Sequence, residues 1–122
     1  MNEGWEKTDK GRGLTFEDVA FEEYGGKRQV MFKELGSRAD IVRITEDGPE
    51  IIECKSVYPF PPNRYDSRAV AYRLKYQFAK MPKAKRRVVF EDLGFDDDQM
   101  EDMAYEVWRA VGKDVVVEFL GR

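Results

Sequence analysis

The hydrophobic and polar positions follow two different periods along the chain, and together they predict three helices and five strands. Apolar residues repeat at helical spacing in three segments, residues 16–24, 67–81 and 97–111. Shorter apolar or alternating runs predict strands at residues 29–35, 39–45, 50–56, 86–91 and 115–120. The predicted order, α-β-β-β-α-β-α-β, indicates an α/β fold with a mixed central sheet flanked by helices.

Capping residues support the helix boundaries. Thr15 and Asp18 form a capping-box pattern that begins the first helix, and two glycines at 25 and 26 end it. The acids at 96–98 precede the third helix, where negative charge favours a helix N-terminus. We therefore interpret these acids as caps; a calcium loop would need a glycine and ligand spacing that the segment lacks.

The chain predicts a single domain. Residues 1–13 show no periodicity and predict a flexible N-terminal arm, so one core is expected over residues 14–122. Residues 58–63 contain three prolines and predict a rigid loop. No stretch approaches the ~18 apolar residues of a membrane span, and the N-terminus has no apolar signal core, so we expect a cytoplasmic protein with no membrane partner.

The composition excludes several classes of site. The chain has no histidine and one cysteine, which excludes a Ser-His-Asp triad, an internal disulfide and a Cys- or His-ligated zinc ion. A metal would be held mainly by oxygen, which favours Mg²⁺, Mn²⁺ or Ca²⁺. The 37% of charged residues, with few amides, favours a thermophilic source.

The net charge of −3 conceals a segregation of charge. Residues 64–87 contain nine basic side chains and one acid, whereas residues 88–108 contain eight acids and no base. A chain divided in this way can bind an anionic polymer on one face. The alternative is a pair of solvated helix faces of opposite sign.

The hairpin over residues 39–56 holds the candidate catalytic residues. With Asp47-Gly48 as a two-residue turn, the predicted cross-strand pairs are Asp40 with Lys55, Val42 with Glu53, and Ile44 with Ile51. Asp40, Glu53 and Lys55 then project from one face, at the end remote from the turn. Charged groups at the margin of an apolar face are costly unless they are paired or bind a cation.

Two interpretations of these side chains stay open. The carboxylates of Asp40 and Glu53 would be diagonal neighbours, a separation that suits one divalent ion. That ion would lower the pKa of a bound water, and Lys55 would orient the water. The alternative is an ordinary ion pair between Asp40 and Lys55, which contributes little at a surface.

Two short segments, SRADIV at 37–42 and IIECKS at 51–56, resemble the PD-(D/E)XK nuclease superfamily. They look most like archaeal Holliday-junction resolvases and related viral nucleases. The resemblance covers residues 15–91 and implies a restriction-endonuclease-like α-β-β-β-α-β core with an additional C-terminal helix and strand. Ala39 stands where the family often has proline.

The resemblance also implies roles for individual residues. Asp40 and Glu53 would bind Mg²⁺ or Mn²⁺, the carbonyl segment around Cys54 would complete the metal shell, and Lys55 would assist the attacking water. The Cys54 side chain itself reads as a small buried hydrophobic group rather than a reactive thiol.

Many members of this family take a further glutamate from the first helix. A helical wheel places Glu17 inside the apolar arc that begins at Phe16, whereas Glu22 faces outward. We therefore predict Glu17 as a third metal ligand, with Glu23 as the reserve choice. The alternative is that Glu17 is a surface acid that stabilises the helix N-terminus.

A basic flank is expected to contact DNA phosphates. Its members are Arg68, Arg73, Lys75, Lys80, Lys83, Lys85, Arg86 and Arg87. Gln77 lies beside the apolar stripe of the second helix and is a candidate phosphate contact, a position where the family often has a polar residue. For residues 83–87 the alternative is a solvated turn.

The function that the resemblance implies is metal-dependent hydrolysis of phosphodiester bonds in branched or junction DNA. A domain of this size has room for one active site, so cutting two strands would require a homodimer. The alternatives are a non-catalytic nucleic-acid-binding module, or an inhibitor whose acidic region at 91–106 mimics DNA.

Overall fold

The computed structural model describes residues 15–59 and 66–122, so the predicted arm at 1–13 and the middle of the proline-rich loop lie outside the described residues. The three helices are α1 (Phe16–Tyr24), α2 (Ser67–Ala79) and α3 (Asp97–Val111). The five strands are β1 (Lys27–Phe32), β2 (Ser37–Thr45), β3 (Gly48–Lys55), β4 (Lys85–Glu91) and β5 (Val116–Leu120). The predicted order of helices and strands is confirmed.

The five strands form one mixed sheet in the order β1-β2-β3-β4-β5. The strands β1, β2 and β3 pair antiparallel, and β3, β4 and β5 pair parallel, with α2 and α3 as the connections between parallel neighbours. This arrangement confirms the predicted α/β class with a mixed central sheet.

Helices cover both faces of the sheet. On one face Phe16 and Ala20 of α1 pack against Ile41, Ile52 and Val89. On the other face, residues of α2 and α3 pack against Ile51, Val88 and Phe90. Adjacent residues of β3 and β4 face opposite sides, which explains why both strands are apolar on each face. Among the described residues, no helix is long and apolar enough to cross a membrane.

The helix caps are those that the sequence predicts. The Thr15 hydroxyl accepts a hydrogen bond from the backbone of Asp18, whose carboxylate accepts one from the backbone of Thr15. Asp96 and Gln99 form the same reciprocal pair at α3. The structure thus gives the first of the three consecutive acids a capping partner.

Two predicted elements need correction. The first strand is Lys27–Phe32, because residues Lys33–Leu35 form a turn of 3₁₀ helix that ends at Gly36 in the left-handed region. The apolar stripe of α3 includes Met103 and Val107, which are fully buried, but Trp108 is 42% exposed. The indole N–H of Trp108 donates to the carbonyl of Val115, which holds the ring at the margin of the core.

The hairpin register also differs from the prediction. The turn consists of Glu46 and Asp47, with Thr45 opposite Gly48, so every cross-strand pair is shifted by two residues. Thr45 fixes this turn because its hydroxyl donates to the carbonyl of Gly48 and accepts from the N–H of Asp47. A shift of two residues changes cross-strand partners but not the face of a side chain in a regular strand. Next to Asp40, however, β2 departs from regular alternation, because Ala39 and Val42 pack in one core cluster and Ile41 packs in the other.

Candidate functional site

The centre of the site is the point where β2 and β3 stop pairing through their backbones. The regular ladder ends at Ile41 opposite Ile52. Beyond it, the backbone N–H of Asp40 donates to Glu53 Oε2 at 2.9 Å, and the N–H of Cys54 donates to Asp40 Oδ2 at 2.8 Å. The register correction thus makes Glu53, rather than Lys55, the cross-strand contact of Asp40.

Negative charge on Asp40 and Glu53 is unfavourable, because burial removes water from the carboxylates and each is close to the other. Glu53 is only 5% exposed, and desolvation followed by the negative charge of Asp40 raises its pKa to about 7. Desolvation also raises the pKa of Asp40, although the N–H of Cys54 opposes the shift. A cation between the two carboxylates would relieve both effects.

Lys55 supplies the positive charge of this site. It lies two residues after Glu53 at the end of β3, opposite Phe90 of β4. Its ammonium group lowers the pKa of both Asp40 and Glu53, although less than burial raises them. The structure therefore brings Asp40, Glu53 and Lys55 together, as the sequence predicts.

Glu17 approaches the same carboxylates from α1. Its negative charge contributes to the raised pKa of Asp40 and Glu53. Its two carboxylate oxygens accept hydrogen bonds from Arg28 Nε at 2.8 Å and Gln29 Nε2 at 2.6 Å. Glu17 is thus near Asp40 and Glu53, but both of its carboxylate oxygens are hydrogen-bonded to Arg28 and Gln29.

Gln29 is a residue of the site that the sequence reasoning missed. It is the one described non-glycine residue with a positive φ, 53°, a region that costs free energy for most side chains. In the pairing of β1 with β2, Arg28 lies opposite Ile41 and Val30 lies opposite Ala39. Gln29 and Asp40, which lie between these pairs, are not paired with each other. No local pattern marks this residue, because the distortion arises where β1 meets the site.

The Cys54 side chain lies on the opposite face of β3 from Glu53. It is half-buried and packs with the apolar cluster under α1. Desolvation and the negative charges of Asp40, Glu17 and Glu53 raise the pKa of its thiol to about 12. The thiol is therefore protonated at neutral pH and a poor nucleophile, which agrees with its interpretation as a small hydrophobic group.

A cleft of about 360 Å³ opens beside Glu53 and is bounded by the second half of α2. Ser37, Arg38, Gln77 and Lys80 contribute its polar lining. The Gln77 Oε1 atom is buried and has no hydrogen-bond partner among the described residues. The Ser37 hydroxyl donates to the Lys80 carbonyl and ties β2 to the end of α2. The sequence predicted Gln77 and Lys80 as functional, but not Ser37 or Arg38, which precede Asp40 by three and two residues.

The other predicted DNA-binding residues divide into two groups. Arg73, Lys75 and Lys83 are exposed. The remaining four have acidic partners within the protein: Arg68 with Glu106 (3.7 Å), Lys85 with Asp47 (3.1 Å), Arg86 with Asp114 (3.3 Å), and Arg87 with Glu50 (3.2 Å) and Glu118 (2.6 Å).

Arg87 differs most from the expected solvated cation. Its side chain is only 15% exposed, and it joins Glu50, which is 3% exposed, to Glu118. Its guanidinium carbon also lies 5.1 Å from the ring centre of Tyr24, which contacts Glu118 through its hydroxyl group. Arg87 thus neutralises the buried Glu50 and pairs with the partly exposed Glu118, and it is not the solvated phosphate contact that the sequence predicts.

The carboxylate oxygens of this site suit a cation that keeps part of its water shell. Among residues 15–59 and 66–122, no group of three acidic, cysteine or histidine side chains is placed to hold a metal ion. The carboxylates of the partly buried Asp40 and the buried Glu53 are nevertheless neighbouring oxygen donors. Mg²⁺ is commonly bound by one or two carboxylates together with water and substrate phosphate, so this pair fits such an ion.

Comparison with known proteins gives one distant structural likeness. No family model matches the chain, and no curated protein matches its sequence. The structure of Pyrococcus furiosus SfsA in complex with Ca²⁺ is similar at 20% sequence identity with a TM-score of 0.41. The alignment covers 86% of this chain and 52% of the SfsA chain, so this chain spans about half of that protein. A likeness of this degree assigns no role to individual residues of this chain.

Proposed function

We propose that this chain is a metal-dependent nuclease of the PD-(D/E)XK type that hydrolyses phosphodiester bonds in DNA. The observation that carries this proposal is the pairing of Asp40 and Glu53, whose carboxylates accept N–H groups across the parted strands, with Lys55 nearby. A buried glutamate beside a partly buried aspartate, both with raised pKa values, is costly to the fold and is typical of a functional site.

The chain's own donors define where a divalent cation would bind. Asp40 and Glu53 would hold Mg²⁺ or Mn²⁺, with the carbonyl segment at Cys54 as a further oxygen donor and Glu17 as a neighbouring charge. When bound, such an ion acts as a Lewis acid towards phosphate oxygen and lowers the pKa of coordinated water. The N–H groups of Asp40 and Cys54 hold one oxygen of each carboxylate, so the pair is preorganised.

Lys55 and the cleft beside α2 would handle the phosphate. The ammonium group of Lys55 would orient the attacking water and stabilise negative charge that develops on the phosphoryl oxygens. Lys80 and Arg38 line the same cleft as Glu53 and can neutralise a phosphate that enters it. The buried Oε1 of Gln77 can accept a hydrogen bond from a water in that cleft.

The wider DNA surface would consist of cations on α2 and in residues 80–86. The members that we retain are Arg68, Arg73, Lys75, Lys80, Lys83, Lys85 and Arg86. Their contacts would supply affinity that is independent of sequence and sensitive to salt. Branched or junction DNA is the substrate that we propose first, because the sequence motifs are most similar to those of junction-resolving nucleases.

Cleavage of branched, linear duplex and single-stranded DNA in Mg²⁺ tests the proposal. We expect Lys55→Ala and Asp40→Asn to slow cleavage by about 10²–10³-fold, the loss typical of a removed charge-stabilising group. Lys33→Ala, an exposed lysine in the 3₁₀ turn, is the matched control and should cleave at the wild-type rate.

Two outcomes would contradict this function. Equal cleavage by wild type and Lys55→Ala would place the activity elsewhere or in a contaminant. Calorimetric titration with Mn²⁺ provides the second test, and binding that is unchanged in Asp40→Ala would remove the proposed metal site. Binding of DNA without cleavage, together with no Mn²⁺ binding, would support the non-catalytic alternative.

A further inference from the structure

The outer side of α3 carries a row of side chains spaced four residues apart. Asp97, Glu101, Tyr105 and Arg109 lie on the helix, and Lys113, which follows the Gly112 cap, continues the row beyond the C-terminal end of α3 and lines the same cavity as Tyr105 and Arg109. All five residues are exposed, whereas Met103 and Val107 on the opposite side of the helix are fully buried. Side chains at this spacing form a continuous ridge on a helix surface. We call these five residues the α3 ridge.

The order of charge along the α3 ridge is antisymmetric about its centre. Two acids occupy the N-terminal half, two cations occupy the C-terminal half, and Tyr105 lies at the midpoint. A two-fold axis beside Tyr105 therefore brings Glu101 against Arg109 of a second copy. The same axis brings Asp97 against Lys113 of that copy. A helix face with this order is complementary to itself only in the antiparallel orientation.

Tyr105 of the ridge and the neighbouring Trp108 provide apolar surface for such a contact. Tyr105 is 59% exposed and Trp108 is 42% exposed, and both line a cavity of about 420 Å³ with Arg109 and Lys113. The hydrogen bond from Trp108 to the Val115 carbonyl, at 2.8 Å, fixes the indole, so little side-chain entropy would be lost when it is covered. Tyrosine and tryptophan anchors of this kind are common at protein interfaces.

We propose that the chain forms a symmetric homodimer through its α3 ridge, with the two α3 helices antiparallel. Packing of ridges at four-residue spacing gives the commonest helix crossing angle, about −50°. In that crossing the two ridges run alongside each other, and the acidic half of each ridge meets the basic half of the other. The argument does not depend on the proposed nuclease activity.

The charge of the same face disfavours nucleic acid as its occupant. Asp97 and Glu101 would lie against phosphates and repel them. A second copy of this chain satisfies both halves of the ridge, whereas DNA would satisfy only one.

Sedimentation velocity of the full chain over a range of concentrations tests the proposal. Wild type should show a concentration-dependent monomer–dimer equilibrium that weakens with salt. Glu101→Lys and Arg109→Glu should each weaken dimerisation by about tenfold or more, because each places like charges opposite one another twice. The double variant E101K/R109E should restore the dimer, since it exchanges the charges without changing their complementarity.

The controls separate this interface from a general effect of charge. Glu22→Lys makes the same charge change on the exposed side of α1 and should leave dimerisation unchanged. A wild-type monomer at all concentrations, or a double variant that stays monomeric while its circular dichroism and melting temperature match wild type, would overturn the proposal. Loss of DNA binding in Tyr105→Ala at unchanged mass would instead assign this face to nucleic acid.

Discussion

Glu53 shows how one buried side chain opposes folding while it serves the site. It is 5% exposed, lies beside Asp40, and has a pKa of about 7 in place of its ordinary 4.5. Because the folded state holds this proton more tightly than the unfolded state, ionisation of Glu53 destabilises the fold. A protein keeps such a group where its charge is needed, and here the need would be a bound cation.

The pH dependence of stability tests this view of Glu53. The penalty is absent below about pH 4.5, grows as the pH rises, and is complete above about pH 7, where it is on the order of 3 kcal/mol. We expect Glu53→Gln to be more stable than wild type at pH 8 and similar at pH 4, measured by urea unfolding. Glu23→Gln, an exposed control on α1, should keep the wild-type profile; the same profile in Glu53→Gln would contradict the assignment.

Two substitutions of Gln29 can separate the effect of backbone strain on stability from the effect of the hydrogen bond between Gln29 and Glu17. Its φ of 53° brings its side chain to Glu17. Gln29→Ala and Gln29→Gly both remove that bond, but glycine adopts this conformation without the penalty of a Cβ atom. We expect the glycine variant to be about 1 kcal/mol more stable than the alanine variant by chemical denaturation. Equal stabilities would show that the position is not strained.

At the scale of elements, the join between α1 and β1 decides where Glu17 lies. The helix ends at Gly25, and Gly26 turns the chain into β1 directly against β2. Both glycines have positive φ, 70° and 98°. They differ in their surroundings, because a Cβ atom at Gly25 would meet nothing within 4 Å, whereas one at Gly26 would lie 2.5 Å from the carbonyl oxygen of Val42.

A matched pair of substitutions measures this close approach. Gly25→Ala should cost about 1–3 kcal/mol, since its φ of 70° and ψ of −159° lie in a region essentially confined to glycine. Gly26→Ala should cost a further 1–3 kcal/mol or so, because the backbone of β2 must also move. Thermal unfolding of the two variants checks the difference. A smaller loss in Gly26→Ala than in Gly25→Ala would show that β1 and β2 separate easily.

At the scale of the whole molecule, a basic residue can either form an ion pair within the fold or remain free to contact a ligand. The sequence places nine cations between residues 64 and 87, but the structure already commits several of them to acids. Arg87 is the clearest case, since its partner Glu50 is 3% exposed and without Arg87 would keep Arg43 as its one cationic partner among the described residues. Exposed cations such as Lys80 and Lys83 remain available to a polyanion.

This division predicts two different phenotypes for the loss of one positive charge. Lys80→Ala or Lys83→Ala should weaken DNA binding uniformly across sequences and lower the slope of log affinity against log salt by about 1, without changing the melting temperature. Arg87→Ala should instead destabilise the fold by about 2–3 kcal/mol. Fluorescence anisotropy at several salt concentrations, with thermal unfolding, distinguishes the two. A stable Arg87→Ala that binds DNA poorly would return Arg87 to the DNA surface.

The sequence by itself determined the features that depend on short-range periodicity and local capping. These include the order of helices and strands, the caps at Thr15 and Asp96, and the common face of Glu53 and Lys55 on β3. The two-residue error in the predicted turn did not move Glu53 or Lys55 to the other face, because strand side chains alternate with a period of two.

Only the tertiary structure decided which groups meet. The register of β2 against β3 depends on how Thr45 closes the turn, and it makes Glu53 the neighbour of Asp40. The strained backbone of Gln29 and the burial of Arg87 arise from contacts between segments far apart in the chain. Periodicity assigns a side chain to a face of its own element, whereas its charge partners and pKa depend on the neighbours that packing brings to it.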